Sequence, residues 1–181
     1  MNNETQQAPA PQLVMRRKTF ADLQAIALPA GYTMRHWRPG DSEAWDSIYA
    51  DAFGIAFSAG AFHRIIRTDG PFRPERVWFV CKGDQPVATA SAWRVIKYGP
   101  DAGYLHFVAV LRAEAGQKLG LAASLAALHR MALEGRSWAV LQTDDHRLAA
   151  IKQYLRLDFE PLLIHENQRE RWRAVLAQLA M

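Results

Sequence analysis

From Val108 to Gly120 the chain reads Val-Ala-Val-Leu-Arg-Ala-Glu-Ala-Gly-Gln-Lys-Leu-Gly. An apolar stretch passes into a glycine-bearing loop. The loop opens a helix pattern with Leu121, Leu125, Leu128 and Ala132 on one side. A loop entering a helix gathers several N–H donors at one spot, and the helix dipole adds positive potential there. The backbone from Ala115 through Gly116, Gln117, Lys118 and Leu119 to Gly120 could therefore cradle a pyrophosphate. The plainer reading gives Gly116 and Gly120 only a turn and a close helix–sheet approach.

His106 lies two residues before Val108, so in a regular strand the two side chains share a face, together with Tyr104. An imidazole there could serve as a general base; a buried, hydrogen-bonded histidine is the alternative. Asp144 and Asp145 could attract a cationic substrate, or cap a helix. The run Phe53 to Phe62 is apolar, with Phe53, Phe57 and Phe62 suited to a core.

These residues need elements to hold them. Tyr32 to Trp37 alternates as a strand, and Asp41 is placed to cap a helix carrying Trp45, Ile48 and Ala52. A short helix runs through Ile65 and Ile66. Val77–Cys81 and Val87–Val95 form a hairpin about Lys82-Gly83-Asp84-Gln85. Tyr104–Val110 is an apolar strand, Trp138–Leu141 a short buried one, and Phe159–Ile164 another. Between the last two, a helix carries Leu148, Ile151 and Leu155. A closing helix has Trp172, Val175, Leu176 and Leu179 on one side. Leu13 to Pro29 has no assigned structure. This order predicts an α/β (α+β) domain: a mixed, mostly antiparallel sheet, helices on both faces and a C-terminal helix.

Half of the 181 residues are apolar, enough for one packed core, so residues 13–181 are expected to form a single domain behind a disordered tail at 1–12. No apolar run reaches the roughly 20 residues of a membrane span. The first residues lack the basic-then-apolar pattern of a secretory leader. Cys81 is the sole cysteine, which excludes an internal disulfide and a cysteine-rich metal site. A reduced, cytoplasmic protein without metal is expected. The net charge of +4 is spread along the chain, with Arg16-Arg17-Lys18 its densest cluster, and is weak evidence for nucleic acid.

The Val108–Gly120 segment resembles the acyl-CoA-binding motif of the GNAT superfamily, an apolar strand followed by a loop of the type R-G-x-G-x-G. Ala115 stands at the Arg/Gln position, Lys118 at the middle glycine and Arg112 where proline is usual; Gly116 and Gly120 are retained. Downstream, Ala150 and Tyr154 match the family's N-x-x-A-x-x-x-Y, with Arg147 at the Asn position. Leu157-Asp158-Phe159 stands for Leu-Gly-Phe. The resemblance covers roughly residues 31–164.

It implies an N-acyltransferase that passes the acyl group, acetyl above all, from acyl-CoA to a primary amine of a small molecule or peptide by direct attack in a ternary complex. It further implies that the pantetheine arm pairs with the backbone of Val108, Ala109 and Val110. A strand N–H would meet the thioester oxygen, and Tyr154 would be the general acid. His106 is then the candidate base, and the Phe53–Phe62 run, if not simply core, stands where the family covers its acceptor, which implies an acceptor with a greasy portion. Ala115 and Lys118 imply weaker coenzyme binding than the full motif gives. The same substitutions leave open a regulatory or acyl-CoA-binding module without turnover. No membrane or nucleic acid partner is expected, and a homodimer is one assembly open to the chain.

Overall fold

The computed structural model describes residues 11–180, in two compact units. The larger runs from Arg17 to Leu141. The second combines the chain up to Arg16 with residues from Gln142 onward. The predicted tail falls largely outside the described residues. In chain order the elements are β1 (Leu13–Arg17), β2 (Tyr32–His36), α1 (Ser42–Phe53), β3 (Val77–Lys82), β4 (Gln85–Trp93), β5 (Ala102–Val110), α2 (Leu119–Leu133), β6 (Trp138–Thr143), α3 (Leu148–Arg156), β7 (Glu160–Pro161) and α4 (Gln168–Leu179). A π-helical turn at His63–Arg67 and short 3-10 turns at 74–76, 96–98 and 112–114 complete them. The fold is mixed α/β, with mostly antiparallel strands and a C-terminal helix.

In the larger unit the strands lie in the order β2-β3-β4-β5-β6. The first four are antiparallel neighbours. β5 and β6 are parallel and pair only from Ala102↔Trp138 to Tyr104↔Val140. The two helices of this unit take opposite faces. Trp45 and Tyr49 of α1 pack on the Phe107 ring, with centroids 5.3 and 5.6 Å away. On the other face Gly103 meets Met131 of α2, where an added Cβ would come within 2.4 Å of the Met131 sulfur. Leu125, Leu128 and Met131 are buried, each stabilising by about 1.5–3 kcal/mol. Ala122, Ala123, Ala126 and Ala127 let α2 lie close to the sheet. Its end is a Schellman turn: Gly135, at φ 74°, donates to Ala132 O and Arg136 donates to Met131 O.

Asp41 precedes α1 but its side chain caps nothing. It is instead gripped by both Arg35 nitrogens, at 2.6 and 2.9 Å, and by the Arg38 N–H. The buried Asp46 accepts from the Gly60 and Phe62 N–H groups, pinning the chain after α1. Phe62 then stacks on Trp37 at 5.6 Å.

In the second unit β1 pairs antiparallel with β7, Met15 opposite Pro161 and Arg16 opposite Glu160. The predicted strand at Phe159–Ile164 thus shrinks to two residues, and a strand exists where the sequence had none assigned. Leu13, Val14 and Met15 are fully buried; a five-residue strand without alternation gives no periodic signal. Asp144 and Asp145 do not cap α3, whose N-cap is Arg147. Asp145 pairs with Arg171 of α4 at 2.5 Å, and Asp144 accepts from Gln12 and Arg147. Held in ion pairs, they are poorly placed to draw a cationic substrate. No helix among the described residues is long and apolar enough to cross a membrane.

Candidate functional site

The site grows out of a defect in β5. Ser91 faces His106 and Thr89 faces Ala109, so Ala90 alone stands opposite both Phe107 and Val108. This is a β-bulge, and Phe107 takes a left-handed backbone, φ 47°. Ser91 and Thr89 share a face of β4, so His106 and Ala109 share one on β5. Val108 therefore lies on the face opposite His106. The expectation that the two share a face is corrected by that one extra residue.

The bulge also opens the strand. β5 leaves β6 after Tyr104, so, among the described residues, 105–110 pair on one side only, with β4. Leu111 donates to Val87 O at 2.9 Å, across β4. By alternation, the N–H and C=O groups of Val110 and Val108 turn to the open edge, and those of Ala109 to β4.

Beyond the strand a 3-10 turn at Arg112–Glu114 is tied down on two sides. The Arg112 N–H donates to Asp51 of α1 at 2.6 Å. Glu114 accepts from the Tyr32 hydroxyl and from Lys82 Nζ, the latter at 2.9 Å. These bonds hold the Glu114 carboxyl below the ordinary carboxylate range. Sequence reading missed Asp51, Tyr32, Lys82 and Glu114. They lie 32 to 82 residues from the groups they hold, and no local pattern marks them.

The loop proper follows. Gly116 has φ 83° and Lys118 φ 60°, both left-handed. Lys118 thus keeps the backbone of the glycine it replaces, and its side chain is exposed. Ala115 and Ala122 donate to Arg112 O and Lys118 O. From Gly116 through Gln117, Lys118 and Leu119 to Gly120, no backbone N–H has an acceptor among the described residues. Five such donors in a row at a helix start are an arrangement that can receive an anion.

His106 is mostly buried amid aromatic rings: Phe107 at 3.8 Å, Tyr104 at 4.9 Å and Trp93 at 6.3 Å. Burial pushes its pKa down to about 4, against the attraction of Asp69. Its ring makes no hydrogen bond among the described residues, so the alternative of a hydrogen-bonded structural histidine has no partner there. Asp69 accepts from Trp93 Nε1 at 2.8 Å. The Ser91 hydroxyl, across from His106, is buried and has no hydrogen-bond partner among the described residues.

The Phe53–Phe62 run divides. Phe62 is core. Ile55 and Phe57 are about half exposed and line an open cleft of about 410 Å³ with Ser47, Asp51 and Arg112.

Tyr154 belongs to the second unit, on α3, with its ring 6.2 Å from Phe159. Burial raises its pKa to about 12, against Arg147. Its hydroxyl has no hydrogen-bond partner among the described residues. Asp158, at the glycine position of the downstream landmark, is left-handed too, φ 58°. Among the described residues no group of three His, Cys, Asp or Glu side chains could hold a metal.

A model of the acetyltransferase (GNAT) family matches residues 42–159. The mycothiol acetyltransferase of Pseudarthrobacter chlorophenolicus is 30% identical over 165 residues, 84% of this chain and 50% of that protein. The one from Kytococcus sedentarius is 29% identical over 78% of this chain and 49% of its own length. The chain spans about half the length of these relatives. Among solved structures, a GCN5-related N-acetyltransferase from Sphaerobacter thermophilus superposes with a TM-score of 0.64 at 23% identity, over 84% of this chain and 50% of that one. The ribosomal-protein-S18-alanine N-acetyltransferase from Escherichia coli gives 0.59 at 21%, over 73% and 79%.

Proposed function

Because this chain belongs to the acetyltransferase (GNAT) family, we propose that it moves an acetyl group from acetyl-CoA to a primary amine, by direct attack within a ternary complex. The observation that supports this reading is the run of five N–H groups from Gly116 to Gly120 without an acceptor among the described residues, at the end of a strand that those residues leave open along one edge.

The cradle takes the pyrophosphate, and the exposed Lys118 adds an ammonium beside it. The open edge at Val108 and Val110 receives the pantetheine amides as a further strand would be received. An N–H of that edge meets the thioester oxygen and stabilises the charge that develops on it. The amine nitrogen then attacks the carbonyl carbon, the C–S bond breaks and the thiolate leaves.

His106, neutral at physiological pH, accepts a hydrogen bond from the amine. With a pKa near 4 it is too weak a base to strip a free ammonium. It suits receiving the proton after attack, when the nitrogen has become strongly acidic. Tyr154 stays protonated and offers its hydroxyl to the leaving sulfur. A thiol ionises near 8.5, so a phenol near 12 stabilises the thiolate as a hydrogen-bond donor rather than by full proton transfer. The Tyr154 assignment rests on its place in the downstream landmark and on its unpartnered hydroxyl.

The acceptor class used by the mycothiol acetyltransferases is the first to assay. The half-exposed Ile55 and Phe57 favour an acceptor with an apolar part. A lone, buried Cys81 fits a reducing compartment such as the cytoplasm.

The deciding experiment measures free thiol release from acetyl-CoA with a panel of amines. Amine-dependent release is expected. Coenzyme binding without release for any amine would instead favour the regulatory module. Lys118 speaks against that module, since it preserves the left-handed loop that a glycine would give.

A further inference from the structure

At the far end of α2 lies a second cationic feature. An open cleft of about 420 Å³ is lined by Arg73, Arg76, Arg130 and Arg136 with Glu75 and Glu134. Four arginines face two glutamates, leaving two positive charges in excess. α2 has 15 residues, so this cleft is about 20 Å of helix away from the Gly116–Gly120 cradle.

The arginines are fixed rather than dangling. Glu134 accepts from Arg76 Nε and Arg130 Nε, each at 2.8 Å. Burial would raise its carboxyl, and the two guanidiniums outweigh that and hold it low. Arg76 also gives Nη2 to Glu134 at 2.7 Å and Nη1 to Pro71 O at 2.6 Å, so all three of its nitrogens are engaged within the protein. Arg130 keeps both terminal nitrogens unused among the described residues. Arg73 gives one nitrogen to Phe72 O, and Arg136 gives one to Pro100 O. Neither pairs with a carboxylate there. The Schellman turn at Gly135 fixes the backbone from which Arg136 springs.

Three guanidiniums with spare donors thus converge on one cleft. A lone carboxylate is satisfied by a single guanidinium fork. A phosphate or pyrophosphate, with more oxygens and more charge, is matched by several. The C-terminal pole of α2 opposes an anion by about half a charge, less than the excess of two.

We propose that this cleft binds a compact phosphate-class anion, separately from the Gly116–Gly120 cradle. The test is a titration of the full chain with inorganic pyrophosphate, followed by NMR of the arginine Nε–H groups. Saturable shifts of the Arg130 and Arg136 signals are expected. The double variant Arg73→Gln/Arg136→Gln, which leaves the Arg76–Glu134–Arg130 network intact, should bind at least about tenfold more weakly. Its thermal midpoint without ligand should match wild type. Pyrophosphate held only at the Gly116–Gly120 cradle would leave the Arg130 signal unmoved, and that result overturns the proposal. So does equal affinity in the double variant.

Discussion

His106 and Phe107 are consecutive residues of one strand, yet their rings lie 3.8 Å apart on the same face. A regular strand would send them to opposite sides. The bulge that brings them together also carries β5 away from β6 and turns Val108 from the face of His106. Phe107 accepts a left-handed backbone and in return packs on Trp45 and Tyr49.

That conformation gives an unusual ranking. Alanine at 107 loses the ring and keeps the steric penalty of φ 47°, whereas glycine loses the ring and the penalty. Phe107→Gly should therefore be more stable than Phe107→Ala by about 1 kcal/mol, the reverse of the order in an ordinary strand. Urea denaturation of the two variants measures it; an alanine variant equal to or above glycine would show the bulge relaxes.

The depressed pKa of His106 makes stability depend on pH. The unfolded imidazole titrates near 6.5 and the folded one near 4. Between those values the unfolded state binds more protons, so stability is full above 6.5 and falls as pH drops toward 4, by about 3 kcal/mol in all. His106→Gln should flatten this window in denaturation curves taken across it. The variant should also lower the rate of amine-dependent thiol release.

Lys118 and Asp158 stand where glycines would be unstrained, at φ 60° and 58°. Lys118→Gly should raise unfolding stability by about 0.5–1 kcal/mol, the left-handed penalty less the extra entropy of glycine. It should also weaken the salt dependence of coenzyme A binding, since an ammonium beside the phosphates is removed. Calorimetric titrations at two ionic strengths would reveal it, and an unchanged slope would put the Lys118 ammonium away from the phosphates.

Tyr154→Phe removes one hydroxyl that has no protein partner among the described residues. Coenzyme A affinity should stay near wild type while thiol release slows by about 10- to 100-fold, in the range of a lost hydrogen bond to a charged group. Equal rates in variant and wild type would take Tyr154 out of the reaction.

Much of this was legible in the residues. The hairpin about Gly83-Asp84, the α1 stripe of Trp45 and Ile48, the α2 stripe of Leu121, Leu125 and Leu128, and the glycine-bearing passage into α2 are local patterns. Local patterns are set by chain periodicity and turn chemistry. β1 escaped because Leu13, Val14 and Met15 are buried without alternation.

The chain by itself determined which backbone could offer unpaired donors, because Gly116 and Gly120 flank a helix start in the sequence. Only the tertiary structure decided that β5 bulges at Phe107, that Asp51 and Glu114 brace the loop, and that Lys118 holds a glycine's conformation. Each of these depends on groups brought together from distant parts of the chain, or on packing that outweighs a local steric cost. Neither leaves a trace in residue spacing.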